Sequence, residues 1–189
     1  MDDCFAILGQ TRAASINEEA LRNAYAKESK AAHPDHGGSE DLASKVNAAY
    51  ETLRAPEKRL KHLLELAAPD DAKQWRTVPL DDEMMNLFSA LGKALEISAK
   101  FLERKAGAQS AIAKALLANE EMRHRETLER LGVEIDQRRN EMEQELPAFD
   151  ADLAAAKFSS WPKIAAMQAR FSYLARWQAQ VRERLLLLM

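Results

Sequence analysis

A chain of 189 residues has room for one medium-sized domain or two small ones, and 47% apolar residues suffice to build a core. With 27 Lys and Arg against 30 Asp and Glu, the formal charge is −3, which disfavours general binding to a nucleic-acid backbone, because that needs a basic surface. The single cysteine, Cys4, excludes an internal disulfide and a cysteine-rich metal centre. From the N-terminus, Asp2 to Leu8 is expected to form a short helix or turn carrying Phe5, Ile7 and Leu8, ended by Gly9. After a small polar loop from Thr11 to Ser15, Asn17 with Glu18 and Glu19 behind it marks a helix start. That helix runs to Ala32 with Leu21, Ala24, Tyr25 and Ala32 on one side, while Arg22, Lys27 and Lys30 lie within roughly 140° of one another on the other. Pro34 disfavours the α conformation at His33, and Gly37 and Gly38 free the backbone for a reversal. Ser39 then supplies a capping hydroxyl, Glu40 and Asp41 favour a helix N-terminus, and Leu42, Val46, Ala49, Tyr50 and Leu53 form the next apolar stripe. The pattern predicts an antiparallel helix pair with His33, Pro34 and Asp35 at its tip.

Pro56 suits the first turn of a fourth helix, whose apolar face is Leu60, Leu63, Leu64 and Leu66. From Ala67 to Pro79 the composition changes, and Pro69-Asp70-Asp71 and Val78-Pro79 bracket Trp75 as in a linker. Boundaries are therefore expected at 1–68 for a first domain, 69–81 for the linker and 82–189 for a second domain. Met84, Met85, Leu87, Phe88, Leu91, Leu95, Phe101 and Leu102 predict a helix to about Lys105, ending near Gly107. Ser110 to Leu146 reads as a long amphipathic helix with a stripe from Ile112, Leu116 and Met122 through Leu128, Leu131, Ile135 and Met142; Gly132 is a weak point and Pro147 is expected to close it. After a short segment around Leu153 and Phe158, the residues Trp161, Ile164, Met167, Phe171, Leu174, Val181, Leu185 and Leu188 define the last helix. Three long amphipathic helices predict an antiparallel bundle, and the fold class is all-α. With no signal-peptide pattern and no apolar run long enough to span a bilayer, a cytoplasmic location is the default expectation.

No residue set reads as an active site. A phosphate-binding Gly-rich loop is absent, Cys4 has no nearby His in sequence, and His33, Asp35 and His36 on a Gly-Gly loop would make a poor metal cage. A protein without enzymatic activity, cofactor or bound metal is expected. The ordered set Phe5-Ala6-Ile7-Leu8-Gly9, His33-Pro34-Asp35 and Val46 to Arg59 resembles the J-domain of DnaJ-type co-chaperones. That resemblance implies that His33, Pro34 and Asp35, with the basic face of Arg22, Lys27 and Lys30, dock on a DnaK/HscA-type ATPase chaperone and drive its ATP hydrolysis. Glu28 stands where J-domains carry an apolar core residue, Ala32 where an aromatic is common and His36 where Lys often follows the Asp.

The whole chain is similar to the HscB-type co-chaperones of iron-sulfur cluster assembly, which join a J-domain to a three-helix bundle. The similarity rests on Ala49 to Arg54 with Pro56 and Arg59, on Leu63 to Leu66, and on the ending from Arg170-Phe171 to Met189. It implies that Met84, Met85, Phe88 and Phe171 form an apolar patch for an iron-sulfur scaffold protein, although Ser89 and Gly92 replace the family's acidic residues beside it. Nucleic acid and membrane are not among the expected partners. The rival readings are a J-domain co-chaperone for a different client and a structural helical adaptor without ATPase stimulation.

Overall fold

The computed structural model describes residues 2–68, 79–108, 110–155, 157 and 159–189. The regular elements are helices: α1 (Cys4–Ile7), α2 (Glu18–Ala32), α3 (Glu40–Leu53), α4 (Pro56–Ala67), α5 (Asp82–Gly107), α6 (Ala111–Ala154) and α7 (Ser160–Leu187), with a 3-10 turn, Pro34–His36, between α2 and α3. The expected linker around Trp75 and the position of Phe158 lie outside the described residues. Two compact units emerge. One gathers the described residues of 1–78 with 142–171, and the other gathers 79–141 with 172–189. Residues 142–171, assigned by sequence to the bundle, therefore group with the N-terminal segment.

In the first unit the polar caps anticipated from sequence are in place. Asn17 accepts the Ala20 N–H at 2.9 Å and Ser39 accepts the Leu42 N–H at 3.2 Å, each satisfying a donor that the helix itself leaves open. Asp3 caps α1 by accepting from Phe5 and Ala6, and Arg12 closes on its other oxygen at 2.7 Å. Burial works to raise the Asp3 carboxyl, but Arg12 and the two amides outweigh it and hold the group below its usual value. Phe5, Leu8, Leu21, Val46, Ala49, Leu53, Leu60 and Leu63 form the core beneath these caps. Tyr25 stacks on Tyr50 with ring centroids 4.3 Å apart and donates its hydroxyl to Asn47 at 2.8 Å, joining α2 to α3.

Two polar residues of α4 are buried with this core. His62 accepts the Cys4 N–H at Nε2 (3.0 Å) and stacks on Phe5, tying α4 to the start of the chain. The Cys4 thiol, half-buried beside it, is pushed up by burial, so it stays protonated at neutral pH. Arg59, only 3% exposed, donates to the carbonyls of Ala14 (2.8 Å) and Leu53 (2.6 Å). Its guanidinium thus satisfies the end of α3 and the loop before α2 together.

The expected stop at Pro147 does not occur, since α6 continues through it to Ala154. Proline removes one helical hydrogen bond and crowds the carbonyl four residues back, a local cost that distant contacts can outweigh. Here the continuation brings Asp150 to the loop before α2, where its carboxylate accepts from the Ser15 N–H at 2.9 Å as well as from the Ala14 N–H and the Ser15 hydroxyl. Charge-assisted bonds of this kind each contribute about 1.5–3 kcal/mol, enough together to hold the segment helical.

The second unit holds α5, most of α6 and the end of α7 around Met84, Leu91, Phe101, Leu128, Leu131, Ile135, Leu174, Trp177 and Val181. Asp81 caps α5 by accepting the Met84 N–H at 2.9 Å, and Arg138 of α6 reaches Asp81, Glu83 and Glu141 at 3.3–3.4 Å. Arg184 of α7 donates to the Leu95 carbonyl at 3.0 Å and to the Ser98 hydroxyl at 3.3 Å. The stripe predicted for α6 is buried only over its second part. Ile112 and Leu116 are each 76% exposed and Met122 is also exposed, while α5 meets α6 in this stretch through Arg104 with Glu120, Lys105 with Glu121 and Phe101 against His124.

Gly132, in the interior of α6, has room for a methyl group: a Cβ there would meet the Val181 side chain at 3.5 Å, an ordinary contact. Since Gly costs a helix interior about 0.8–1 kcal/mol relative to Ala, Gly132→Ala is expected to stabilise the protein by roughly that amount. Thermal unfolding of the two proteins checks it, and a lower midpoint for the variant would contradict it.

Candidate functional site

The tip of the α2–α3 hairpin is set by the six residues from His33 to Gly38. His33 is extended (φ −67°, ψ 138°), as a residue before proline prefers, and Pro34 opens the 3-10 turn. Gly37 closes the turn at φ 85°, a left-handed conformation that costs a side-chain-bearing residue energy. Gly38 is required for a different reason, since a Cβ at this position would lie 2.0 Å from the Ala32 carbonyl oxygen. The two glycines were legible in sequence as turn formers, but the close approach at Gly38 is visible only in three dimensions.

Within the turn, the Asp35 N–H donates to Nδ1 of His33 at 3.2 Å, which places the proton of the neutral imidazole on Nε2. Nδ1 also lies 3.5 Å from the Asp35 carboxylate, an ion pair only when the ring is protonated. His33, Pro34, Asp35 and His36 are all exposed, and the Asp35 side chain retains 83% of its accessible surface. The apex therefore offers a carboxylate and an imidazole on a turn closed by backbone hydrogen bonds from the His36 and Gly38 N–H groups to the His33 carbonyl.

Arg22, Lys27 and Lys30 are exposed along α2. Arg22 reaches Glu18 at 3.7 Å and Lys27 reaches Glu28 at 3.4 Å, both exposed pairs that cost a competing partner little to break. Glu28 is half-buried and paired with Lys27, so the departure from an apolar residue at this position leaves no isolated carboxylate in the core. Ala32 is buried where an aromatic is common.

Residues 3–62 match the DnaJ domain family model. They form a J-domain. In sequence, 60 residues are 42% identical to a tetratricopeptide repeat and J domain-containing co-chaperone of Cryptococcus neoformans, covering 32% of this chain and 11% of that protein. The chain thus spans about a tenth of the length of that relative. In structure it is similar to chaperone HscB from Vibrio cholerae, with a TM-score of 0.54 at 19% identity over 96% of both chains. Human co-chaperone protein HscB matches with a TM-score of 0.48 at 17% identity, over 93% of this chain and 82% of that one. The fold is all-α, a J-domain followed by a helical region as in HscB. No helix among the described residues is long and apolar enough to cross a membrane.

The four residues singled out outside the J-domain divide by burial. Met84 and Phe171 are each 1% exposed, whereas Met85 is 49% and Phe88 51% exposed. Neighbouring positions on a helix point about 100° apart, which separates Met84 from Met85. Met84, Met85 and Phe88 belong to the second unit and Phe171 to the first. Sequence reasoning missed the support beneath Phe88, where Trp177 of α7, itself buried, lies 5.7 Å away between ring centroids and Tyr173 stacks on Trp177 at 6.2 Å. The signal was present in the spacing, since Trp177 lies three residues after Leu174 and four before Val181.

Proposed function

We propose that this protein is a co-chaperone whose J-domain stimulates ATP hydrolysis by a DnaK/HscA-type chaperone and whose second unit brings an iron-sulfur cluster scaffold protein to it. The reading is carried by one observation: a J-domain with its His33-Pro34-Asp35 turn open to solvent, in a chain with the HscB fold. The turn acts by binding one conformation of the ATPase more tightly than another, because equal affinity for both would shift nothing. Asp35 pairs with a cation of the ATPase, Pro34 keeps the turn stiff, and His33 offers the Nε2 proton of its neutral ring. The cationic face of α2 draws in an acidic surface. Met85 and Phe88 supply the apolar area on which the scaffold docks.

Single-turnover ATP hydrolysis by such a chaperone, with and without the purified full-length protein, tests the first half. Acceleration is expected, further enhanced by scaffold, and no acceleration overturns it. Titration calorimetry with the scaffold tests the second half. Acceleration without scaffold binding would favour a J-domain co-chaperone for another client. The J-domain of the Cryptococcus relative, set in a different architecture, gives that reading its support.

A further inference from the structure

Ala14 belongs to a loop, yet it is completely buried. A buried loop residue has no helical partner for its backbone N–H and C=O, so each group must be satisfied from elsewhere or cost free energy. Both groups of Ala14 are met by charged side chains from distant parts of the chain. Its carbonyl accepts from the Arg59 guanidinium of α4 at 2.8 Å, and its N–H donates to the Asp150 carboxylate of α6. The other Asp150 oxygen accepts the Ser15 N–H at 2.9 Å and the Ser15 hydroxyl, so the described side-chain bonds of Asp150 all go to this one loop. Gln168 of α7 adds a second link by donating to the Glu57 carbonyl of α4 at 3.3 Å, two residues before Arg59. The segment 142–171 therefore holds the N-terminal part of its own unit at the loop before α2 and at the first turn of α4.

The loop matters for what it leads into. Ser15 lies two residues before Asn17, the cap of α2, and seven before Arg22, the first of the three cations on that helix. Locally, the Asn17 side chain satisfies only the Ala20 N–H, so the entry of α2 is fixed as much from α6 as from its own sequence. We propose that Asp150, which lies outside the J-domain at 3–62, is a positioning residue for chaperone docking: by ordering Ala14 and Ser15 it holds the entry of α2, and with it the cationic face, in place before the ATPase arrives. The proposal rests on the co-chaperone reading above. Docking on an ordered face has less conformational freedom to remove than docking on a loosened one, so Asp150 acts on affinity. The His33-Pro34-Asp35 turn is formed by its own backbone bonds, so the response of the ATPase once docked does not depend on Asp150.

The test titrates chaperone ATP turnover with the purified full-length protein and reads the concentration for half-maximal stimulation separately from the maximum. Asp150→Ala leaves the Ala14 and Ser15 N–H groups without their acceptor and is expected to raise the half-maximal concentration about three- to tenfold with the maximum unchanged. Asp150→Asn keeps one carbonyl oxygen for these donors and is expected to fall between the two. Amide hydrogen exchange at Ala14, Ser15 and Ala20 is expected to quicken in Asp150→Ala. Val46→Ala, which shortens a buried α3 side chain that takes no part in these bonds, is the stability control; it is expected to lower the unfolding temperature and leave the half-maximal concentration of folded protein unchanged. If the unaltered protein accelerates hydrolysis and Asp150→Ala matches it at half-maximal concentration, or loses only what Val46→Ala loses, the proposal falls and the co-chaperone reading stands. A lower maximum at an unchanged half-maximal concentration would also overturn the proposal. If the unaltered protein gives no acceleration, both fall.

Discussion

Asp35→Asn is expected to abolish stimulation of the chaperone ATPase while leaving the fold and its unfolding temperature unchanged. The substitution keeps size and shape and removes only the charge. Inside the protein, the described contacts of the Asp35 carboxylate come down to the His33 ring at 3.5 Å, and 83% of the side chain is open to water, so folding has almost nothing to lose. A partner that buries the carboxylate against a cation loses a charge-assisted hydrogen bond of about 1.5–3 kcal/mol, which corresponds to roughly a ten- to hundredfold loss in affinity for the hydrolysing state. Because the effect works through differential binding, extra co-chaperone should restore little if the bond forms only in that state. Chaperone ATP turnover at saturating co-chaperone is the measurement, and undiminished acceleration by the variant would contradict the assignment. His33→Gln probes the same apex with a side chain that keeps a donor but loses the ring, and it is expected to fail in the same assay.

Arg59→Met is expected to destabilise the J-domain by about 2–6 kcal/mol, since each of two buried carbonyls left without its donor costs about 1–3 kcal/mol. Methionine matches the aliphatic length of arginine, so the loss reports on hydrogen bonding more than on volume. The Ala14 and Leu53 carbonyls, now satisfied at 2.8 and 2.6 Å, would each lose their guanidinium donor in a region closed to solvent. Natural domains hold only about 5–15 kcal/mol in total, so the denaturant midpoint should fall steeply. Arg59→Lys retains a charge but not the planar fork, and it should fall between the two. Urea unfolding followed by circular dichroism measures the series, and a change below about 1 kcal/mol for Arg59→Met would show the guanidinium to be dispensable. Arg59 is far from the apex in sequence and its bonds to Ala14 and Leu53 lie at the other end of α3, so any loss of ATPase stimulation in this variant should follow the fraction unfolded.

The two predictions separate what was readable along the chain from what was not. Asn17, Ser39, Pro34, Gly37 and Pro56 act through steric and hydrogen-bonding rules that reach only a few residues, so the helix starts, the hairpin and the exposed His33-Pro34-Asp35 turn were determined by sequence alone. Periodicity likewise established that α5, α6 and α7 carry apolar stripes. It could not say which neighbour covers each stripe, because that choice belongs to residues far away in the chain. Only the tertiary structure decided that Met84 and Phe171 lie in the interior while Met85 and Phe88 face solvent, and that Ile112 and Leu116 are left uncovered. Only there does Arg59 find the Ala14 and Leu53 carbonyls, and only there does Asp150, reaching Ala14 and Ser15 across more than a hundred residues, keep α6 helical beyond Pro147. Local rules fix where a helix can begin and turn, whereas burial and long-range hydrogen bonds depend on which distant segments meet.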